Sequence, residues 1–131
     1  RSRFREAPGS LEFHALDICA APPRDWHGRF GVLIDRGCFH QLPAAAVPGY
    51  AASLSALSRP GARLLLFVKA FRTGQSPGEE EERRRVRAAV DDALGAVFRI
   101  ERVEATWLDP DEGRNPATAL PGLVFWMTKA C

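Results

Sequence analysis

The sequence predicts an α/β protein with a largely parallel sheet and an antiparallel last strand. The apolar runs at residues 30–34 and 63–71 have the length and composition of strands buried on both faces, as strands of parallel sheets are. A stretch with helical spacing separates them. No such stretch separates the last two apolar segments, so we expect these two strands to be antiparallel neighbours.

Composition sets limits on the class of protein. A chain of 131 residues with 46% hydrophobic and 26% charged residues has the profile of one globular domain, or part of one. The net charge of +2 argues for neither a nucleic-acid nor a membrane partner. No apolar run approaches the ~20 residues that cross a bilayer. Three widely spaced cysteines form no disulfide framework, so a reducing cytoplasm is the expected location.

The first strand is predicted at residues 11–18, LEFHALDI, where apolar and polar side chains alternate. It ends at Asp17 and Ile18, and the prolines at 22 and 23 break the chain after it. Residues 30–34 form the second strand, which ends on Asp35-Arg36-Gly37.

A helix is predicted over residues 43–58, with Pro48 in its first turn. The Arg-Pro-Gly sequence at 59–61 ends the helix before the strand at 63–71. The helix face expected to be buried follows i, i+4, i+7 spacing and consists of Tyr50, Leu54 and Leu57.

A second helix is predicted to begin with the run EEEERRR at residues 79–85, after a loop at 73–78. Its acids lie at the positive end of the helix and pair with the arginines at i, i+4. We interpret the run as a solvated helix face rather than a nucleic-acid patch. The apolar stripe that follows consists of Val86, Ala89, Val90, Ala93, Leu94 and Val97.

Two strands complete the prediction. Residues 98–108 alternate, and residues 109–122 contain three prolines and two glycines and form a loop. Residues 123–127, LVFWM, are the final buried strand. The inward positions predicted for the first of these strands are Ile100, Val103, Ala105 and Trp107.

A ligand site is expected in the loop that follows the strand at residues 30–34. Ligands of open α/β sheets bind beyond the carboxyl ends of the strands. The residues in that position are Asp35, Arg36, Gly37, Cys38, Phe39 and His40.

The ordered set of segments resembles class I S-adenosylmethionine-dependent methyltransferases, in the small-molecule branch that includes thiopurine S-methyltransferases. The resemblance rests on LIDRG at residues 33–37, on residues 50–71 with their Arg-Pro-Gly, and on the closing strand at 123–129. It implies a Rossmann-like sheet of strand order 3-2-1-4-5-7-6. This chain would be the single, partial domain that lacks the N-terminal strands.

The resemblance also implies roles for individual residues. Asp17 would accept a hydrogen bond from the adenine amino group of S-adenosylmethionine, and Ile18 would lie against the ring. Asp35, Arg36, Gly37 and Cys38 would line the methionine end of the cofactor. Phe39, His40, Phe71 and Arg72 would face a small-molecule nucleophile such as a thiol or an amine.

The sequence lacks two motifs of the resembled family, the glycine-rich turn after strand 1 and the acidic residue that ends strand 2. We therefore expect that the native protein is longer, or that residues 11–18 pair with the following strand or with another copy. An unpaired edge would favour a homodimer. We also expect this chain alone to bind the cofactor weakly or not at all.

Methyl transfer from a sulfonium needs proximity and orientation, and needs a base only when the acceptor must lose a proton. His40 is the candidate for that base or for orienting the acceptor, although a histidine there also caps or packs a helix. Asp35 is either a cofactor residue or the N-cap of the following helix. Asp17 is either a cofactor residue or a turn residue.

Other classes of site are disfavoured by spacing. The candidate residues for a metal or thiol site show no CxxC or HxxxH pattern, so we expect neither a metal nor a cysteine hydrolase. They are Cys19, Cys38, His14, His27 and His40. The alternative function is a non-catalytic, methyltransferase-like module that binds a partner or dimerises.

Overall fold

The computed structural model describes residues 9–69, 80–108 and 121–130. These residues form four strands and two α-helices, with three short 3-10 turns. Neither helix has the length and apolar composition needed to cross a membrane. In chain order the elements are β1 (Phe30–Arg36), α1 (Val47–Leu57), β2 (Ser58–Lys69), α2 (Glu80–Leu94), β3 (Phe98–Trp107) and β4 (Pro121–Lys129).

The strands form one mixed sheet in the order β1-β2-β4-β3. β1 and β2 are parallel, whereas β4 is antiparallel to both of its neighbours. This arrangement confirms the predicted α/β fold class and the antiparallel pairing of the last two strands. It also matches the 4-5-7-6 part of the expected strand order.

The core lies on one face of the sheet, against both helices. The predicted buried face of α1 is confirmed, since Tyr50, Leu54 and Leu57 are all buried. The stripe predicted on α2 is confirmed in part, because Ala89 is exposed. The core residues that the strands and α2 contribute are Leu64, Leu66, Val68, Val86, Val90, Leu94, Phe98, Leu123, Phe125 and Met127.

The prediction of a strand at residues 11–18 is wrong. This segment has no strand structure, and Phe13 is 88% exposed, with Leu11 and Leu16 also in solvent. A strand is stable only when a neighbour satisfies its main-chain groups. No strand lies alongside this segment in the described part of the chain, so alternation alone does not make it a strand.

The prediction that β1 is buried on both faces is also wrong. Val32 and Ile34 are 60% and 67% exposed, whereas Leu33 and Asp35 point toward the helices. β1 lies at the edge of the sheet, where only β2 pairs with it. The face that carries Val32 and Ile34 has no helix packed on it in the described ranges. We call it the open face.

The first predicted helix is shorter than expected at both ends. A 3-10 turn at Ala44–Ala46 precedes α1, and Pro48 lies in the first turn of α1 as predicted. The helix ends where the Ser58 hydroxyl donates to the Leu54 carbonyl at 2.7 Å. β2 therefore begins at Ser58 and includes the Arg-Pro-Gly sequence that was expected to precede it.

The charged run is helical, as predicted, from Glu80 onward. The predicted i, i+4 pairing is not confirmed, because Arg85 contacts Glu82 at i, i+3 rather than Glu81 at i, i+4. Glu79 and the loop predicted at residues 73–78 lie outside the described residues, as do 109–120 of the second predicted loop.

β3 and β4 differ from the prediction in their details. A bulge between Ile100 and Arg102 shifts the register of β3, which lets Ile100 and Val103 both pack on the core. Ala105 and Trp107 are exposed, so they are not the inward positions that were predicted. β4 is longer than predicted, since its pairing with β3 extends to Pro121 at one end and Lys129 at the other.

Candidate functional site

Asp35 and Gly37 determine the shape of the loop that follows β1. The Asp35 carboxylate accepts hydrogen bonds from the main-chain N–H groups of Cys38 (2.8 Å) and Phe39 (3.1 Å). Gly37 has a φ of +106°, a conformation that favours glycine. Together they turn the chain directly into a 3-10 turn at Phe39–Gln41. Asp35 thus binds the first amides of this turn but is not an N-cap residue, since the N-cap of the turn is Cys38 and that of α1 is Ala46.

A third donor reaches the same carboxylate from α1. The hydroxyl of Tyr50 donates a hydrogen bond to Asp35, and both side chains are buried, at 1% and 8% exposure. A buried carboxylate is stable only when it is well hydrogen-bonded. The carboxylate is therefore committed to three protein donors at the start of the loop.

His40 joins this loop to the end of β2. Its Nδ1 accepts a hydrogen bond from the main-chain N–H of Lys69 at 2.9 Å. Burial lowers the pKa of His40, the Asp35 carboxylate partly opposes that shift, and Lys69 adds to it. The imidazole is therefore neutral near pH 7.

Arg36 joins the carboxyl ends of the two edge strands. Its guanidinium donates to the main-chain carbonyl of Leu108, the residue that follows β3. β1 and β3 run in the same direction at opposite edges of the sheet. Arg36, which was predicted to line the cofactor, thus also connects the carboxyl ends of β1 and β3.

The segment from Asp17 to Ala20 forms a turn against α1. The Asp17 carboxylate accepts from the N–H of Cys19 at 2.9 Å, and the Ser53 hydroxyl donates to the Ala20 carbonyl at 2.7 Å. Gly49 permits this contact, because a Cβ there would collide with the Cys19 carbonyl oxygen. The turn places Ile18, which is partly buried against the core, beside the loop after β1.

A cavity of about 450 Å³ lies between this turn and β1. That volume is in the range of small-molecule sites, roughly 300–1,000 Å³, and the wall is mostly apolar. Four predicted cofactor residues from two distant segments line it, namely Ile18, Asp35, Arg36 and Cys38. The rest of the wall consists of Trp26, Phe30, Val32, Leu33, Ile34, Tyr50, Leu54, Leu57 and Leu64.

The other predicted site residues lie nearby but outside that wall. The ring of Phe39 packs against Tyr50, with 5.9 Å between ring centroids. Asp17, Gly37 and His40 belong to the two turns that border the cavity. Phe71 and Arg72 lie outside the described residues.

The surroundings of Cys38 lower the reactivity of its thiol. Partial burial raises the pKa of the Cys38 thiol, and the nearby Asp35 carboxylate and Cys19 raise it further. A thiol of raised pKa is a poor nucleophile. Within the described residues, no three histidine, cysteine or acidic side chains are grouped so that they could hold a metal ion.

Sequence reasoning placed Tyr50 in the core and missed its hydroxyl. The sequence offered a signal, because Tyr50 is the only tyrosine of the chain and lies on the helix face that was predicted to be buried with Leu54 and Leu57. A buried phenol needs a hydrogen-bond partner. Asp35, at the end of the preceding strand, was an available partner.

This geometry defines an α/β protein with a candidate ligand site at the carboxyl end of parallel strands. Several solved structures share this fold. One, described for the conversion of a disulfide bond into a thioacetal group during echinomycin biosynthesis, has a TM-score of 0.69 and 16% identity; the match covers 92% of this chain and 57% of that one. No family model and no curated protein matches the sequence.

Two further structures carry methyltransferase names. The Burkholderia thailandensis 1,6-didemethyltoxoflavin-N1-methyltransferase, with 1,6-didemethyltoxoflavin and S-adenosylhomocysteine bound, has a TM-score of 0.61 and 19% identity, covering 91% of this chain and 51% of its own. A SAM-dependent methyltransferase from Methanosarcina mazei has a TM-score of 0.65 and 14% identity, covering 96% and 70%. Structures of 16S rRNA methyltransferases from Catenulisporales acidiphilia also match.

At these identities the comparison establishes the fold. The chain has a methyltransferase-like fold, with the mixed sheet of class I SAM-dependent methyltransferases. It spans little more than half the length of the first two proteins named above.

Proposed function

We propose that this protein transfers a methyl group from S-adenosylmethionine to a small-molecule nucleophile. One observation carries the proposal. Residues predicted to bind the cofactor from two segments far apart in sequence, Ile18 on one side and Asp35, Arg36 and Cys38 on the other, line a single cavity. This cavity runs along β1 from Phe30 to the loop at the carboxyl end of the strand, and ligands of such sheets bind at that end.

The residues present fit one side of such a cofactor. Ile18 offers an apolar surface for the adenine ring. The exposed carboxylate of Asp17 accepts one hydrogen bond from the N–H of Cys19 and can accept another from the adenine amino group. Gly37 and the exposed Cys38 leave room beside the loop for the methionine end. The one carboxylate in the wall, Asp35, is committed to its three donors, so it shapes the loop rather than binding ribose.

When bound, the cofactor would supply an electrophilic methyl group, and the task of the protein is to align an acceptor with it. We assign that task to His40, together with Phe39, Phe71 and Arg72. Because the N–H of Lys69 can only donate, Nδ1 of His40 carries no proton and Nε2 does. His40 therefore orients an acceptor through its Nε2–H and does not act as a base through Nδ1.

We favour a small-molecule acceptor, in the manner of the thiopurine S-methyltransferase branch, over RNA. The net charge of +2 gives no strong electrostatic attraction to nucleic acid. The B. thailandensis enzyme, named for a small-molecule substrate, matches with a higher TM-score than the rRNA enzymes. The described cysteines, Cys19 and Cys38, are free thiols, which suits the cytoplasm that we propose as its location.

The test is calorimetric titration of the full-length protein with S-adenosylhomocysteine. We expect saturable binding that Ile18→Ser weakens about tenfold, because it removes the apolar surface for adenine. Val103→Ser is the matched control, since Val103 is also partly buried against the core but belongs to β3. No saturable binding by the full-length wild type would overturn the proposal.

The open edge of β1 favours the second candidate, a non-catalytic module that dimerises through this strand. Val32 and Ile34 are exposed, and a bare apolar edge strand promotes association. In this case the protein would sediment as a dimer and Ile34→Lys would make it a monomer. Phe13→Lys, at a still more exposed apolar position outside the sheet, is the control. A monomeric wild type would exclude this candidate.

A further inference from the structure

We propose that Tyr50 is a positioning residue, whose hydroxyl holds the loop after β1 in its binding shape by bonding to the Asp35 carboxylate. Tyr50 belongs to α1, whereas the loop belongs to the end of β1. The hydrogen bond between them therefore connects two elements.

The three donors to Asp35 are not equivalent. The Cys38 and Phe39 amides lie three and four residues away along the chain and would follow the carboxylate if the loop moved. Tyr50 is fifteen residues away and is fixed in the core. Only the phenol therefore sets where the carboxylate, and the loop bonded to it, lies relative to the helix.

The ring and the hydroxyl of Tyr50 have separable roles. The ring is buried and packs against Phe39, so it contributes to the core with or without the oxygen. Removing the oxygen leaves a buried carboxylate short of one donor, and such a group gains by moving toward water. Asp35 can move in this way only by carrying the Cys38 and Phe39 amides with it.

The consequence for binding rests on the proposed function. Asp35, Arg36 and Cys38 form the wall of the cavity next to the loop. If they move, the wall no longer matches its ligand. We expect Tyr50→Phe to weaken S-adenosylhomocysteine binding about tenfold, the factor expected from the loss of one hydrogen bond.

The experiment combines amide hydrogen exchange with cofactor titration. In Tyr50→Phe, the Cys38 and Phe39 amides should exchange roughly tenfold faster than in the wild type, while amides in β2 keep their rates. Lys129→Met is the matched control, because it removes hydrogen bonds at the opposite end of α1 and leaves the loop intact. It should change neither the two loop amides nor the affinity.

Asp35→Asn provides a second variant. If the phenol acts through the carboxylate, adding Tyr50→Phe in the Asp35→Asn background should change loop exchange little further. Wild-type exchange at Cys38 and Phe39 in Tyr50→Phe would overturn the inference. Faster exchange with unchanged affinity would separate the loop from the binding site and overturn it too. If the wild type itself fails to bind, the proposed function falls, and the exchange rates alone decide the role of Tyr50.

Discussion

The main-chain N–H of Lys69 donates a hydrogen bond to Nδ1 of His40 at 2.9 Å. This contact joins the loop after β1 to the last residue of β2, the two neighbouring parallel strands. Because a main-chain N–H can only donate, Nδ1 must be the acceptor, and the contact fixes the tautomer of the imidazole with its proton on Nε2. Protonation of Nδ1 would break it.

The first prediction is a loss of stability in mild acid that depends on His40. Since its folded pKa is lowered, chiefly by burial, the unfolded chain binds the proton more readily. The contribution of His40 is therefore fully present above about pH 6.5, the ordinary histidine pKa. It is lost as the pH falls through the lower pKa of the folded protein.

Denaturant unfolding between pH 7 and pH 5 measures this effect. His40→Gln should show a smaller decrease in the free energy of unfolding over that range than the wild type. Gln41→Ala, at an exposed position of the same 3-10 turn, is the control and should keep the wild-type dependence. Equal dependence in His40→Gln and the wild type would contradict the structure.

The second prediction concerns the carboxyl end of α1. The ammonium of Lys129 donates to the carbonyl oxygens of Ser55 and Ser58, both at 2.8 Å. It thus satisfies acceptors that the last helical turn leaves free and lies at the negative end of the helix. Lys129→Met should lower the free energy of unfolding by about 1–2 kcal/mol.

Chemical denaturation of the variant gives that value. Arg85→Met is the comparison, because Arg85 forms an exposed ion pair with Glu82 and should lose less than about 0.5 kcal/mol. Equal losses in the two variants would mean that the contacts of Lys129 contribute no more than a surface charge.

The third prediction reverses an ordinary rule of helix stability. Replacing a helical glycine with alanine usually gains up to about 1 kcal/mol. At Gly49 the added Cβ would collide with the main-chain carbonyl of Cys19, which cannot rotate away as a side chain would. Overpacking costs roughly 1–3 kcal/mol, so Gly49→Ala should be destabilising.

Thermal unfolding shows whether Gly49→Ala raises or lowers the stability of the protein. Ala52→Gly, at an exposed position of the same helix, should lose about 1 kcal/mol and shows that α1 follows the usual propensities. A stabilised Gly49→Ala would mean that the turn at Asp17–Ala20 does not press on the helix.

The fourth prediction uses the single tyrosine of the chain. Burial raises the pKa of Tyr50, and the hydrogen bond to the Asp35 carboxylate raises it further. The unfolded chain ionises its phenol near pH 10. The stabilising contribution of Tyr50 is therefore complete below about pH 10 and is lost as the pH rises above it.

Tyrosinate absorbance follows Tyr50 directly, because no other phenol contributes. In the wild type, ionisation should coincide with alkaline unfolding, monitored by circular dichroism. In Asp35→Asn, which lacks the negative charge, ionisation should occur at lower pH. Ionisation of wild-type Tyr50 near pH 10 in the folded state would refute the hydrogen bond.

The sequence predicted the elements that depend on local pattern. The helical spacing of Tyr50, Leu54 and Leu57 and the acids that begin α2 both correspond to helices. The unbroken apolar character of residues 64–68 corresponds to a central strand. In each case the residues that determine the structure are neighbours along the chain.

What the sequence did not predict depends on neighbours in space. Alternation made residues 11–18 a strand, but no described strand lies beside them to share hydrogen bonds. The composition of β1 indicated burial on both faces, yet no described helix covers the face that carries Ile34, and this side chain stays in solvent. The site contacts of Arg36 and Tyr50 cross 72 and 15 residues, a separation at which no spacing rule applies.

The open face of the sheet has a thermodynamic consequence. Val32 and Ile34 contact water in the folded chain much as they do after unfolding. Apolar surface that is already hydrated adds nothing to the heat-capacity increment of unfolding, and nothing to its sensitivity to urea. A ligand or partner that covers this face would steepen the urea dependence and sharpen the curvature of stability with temperature, even where the melting point barely moves.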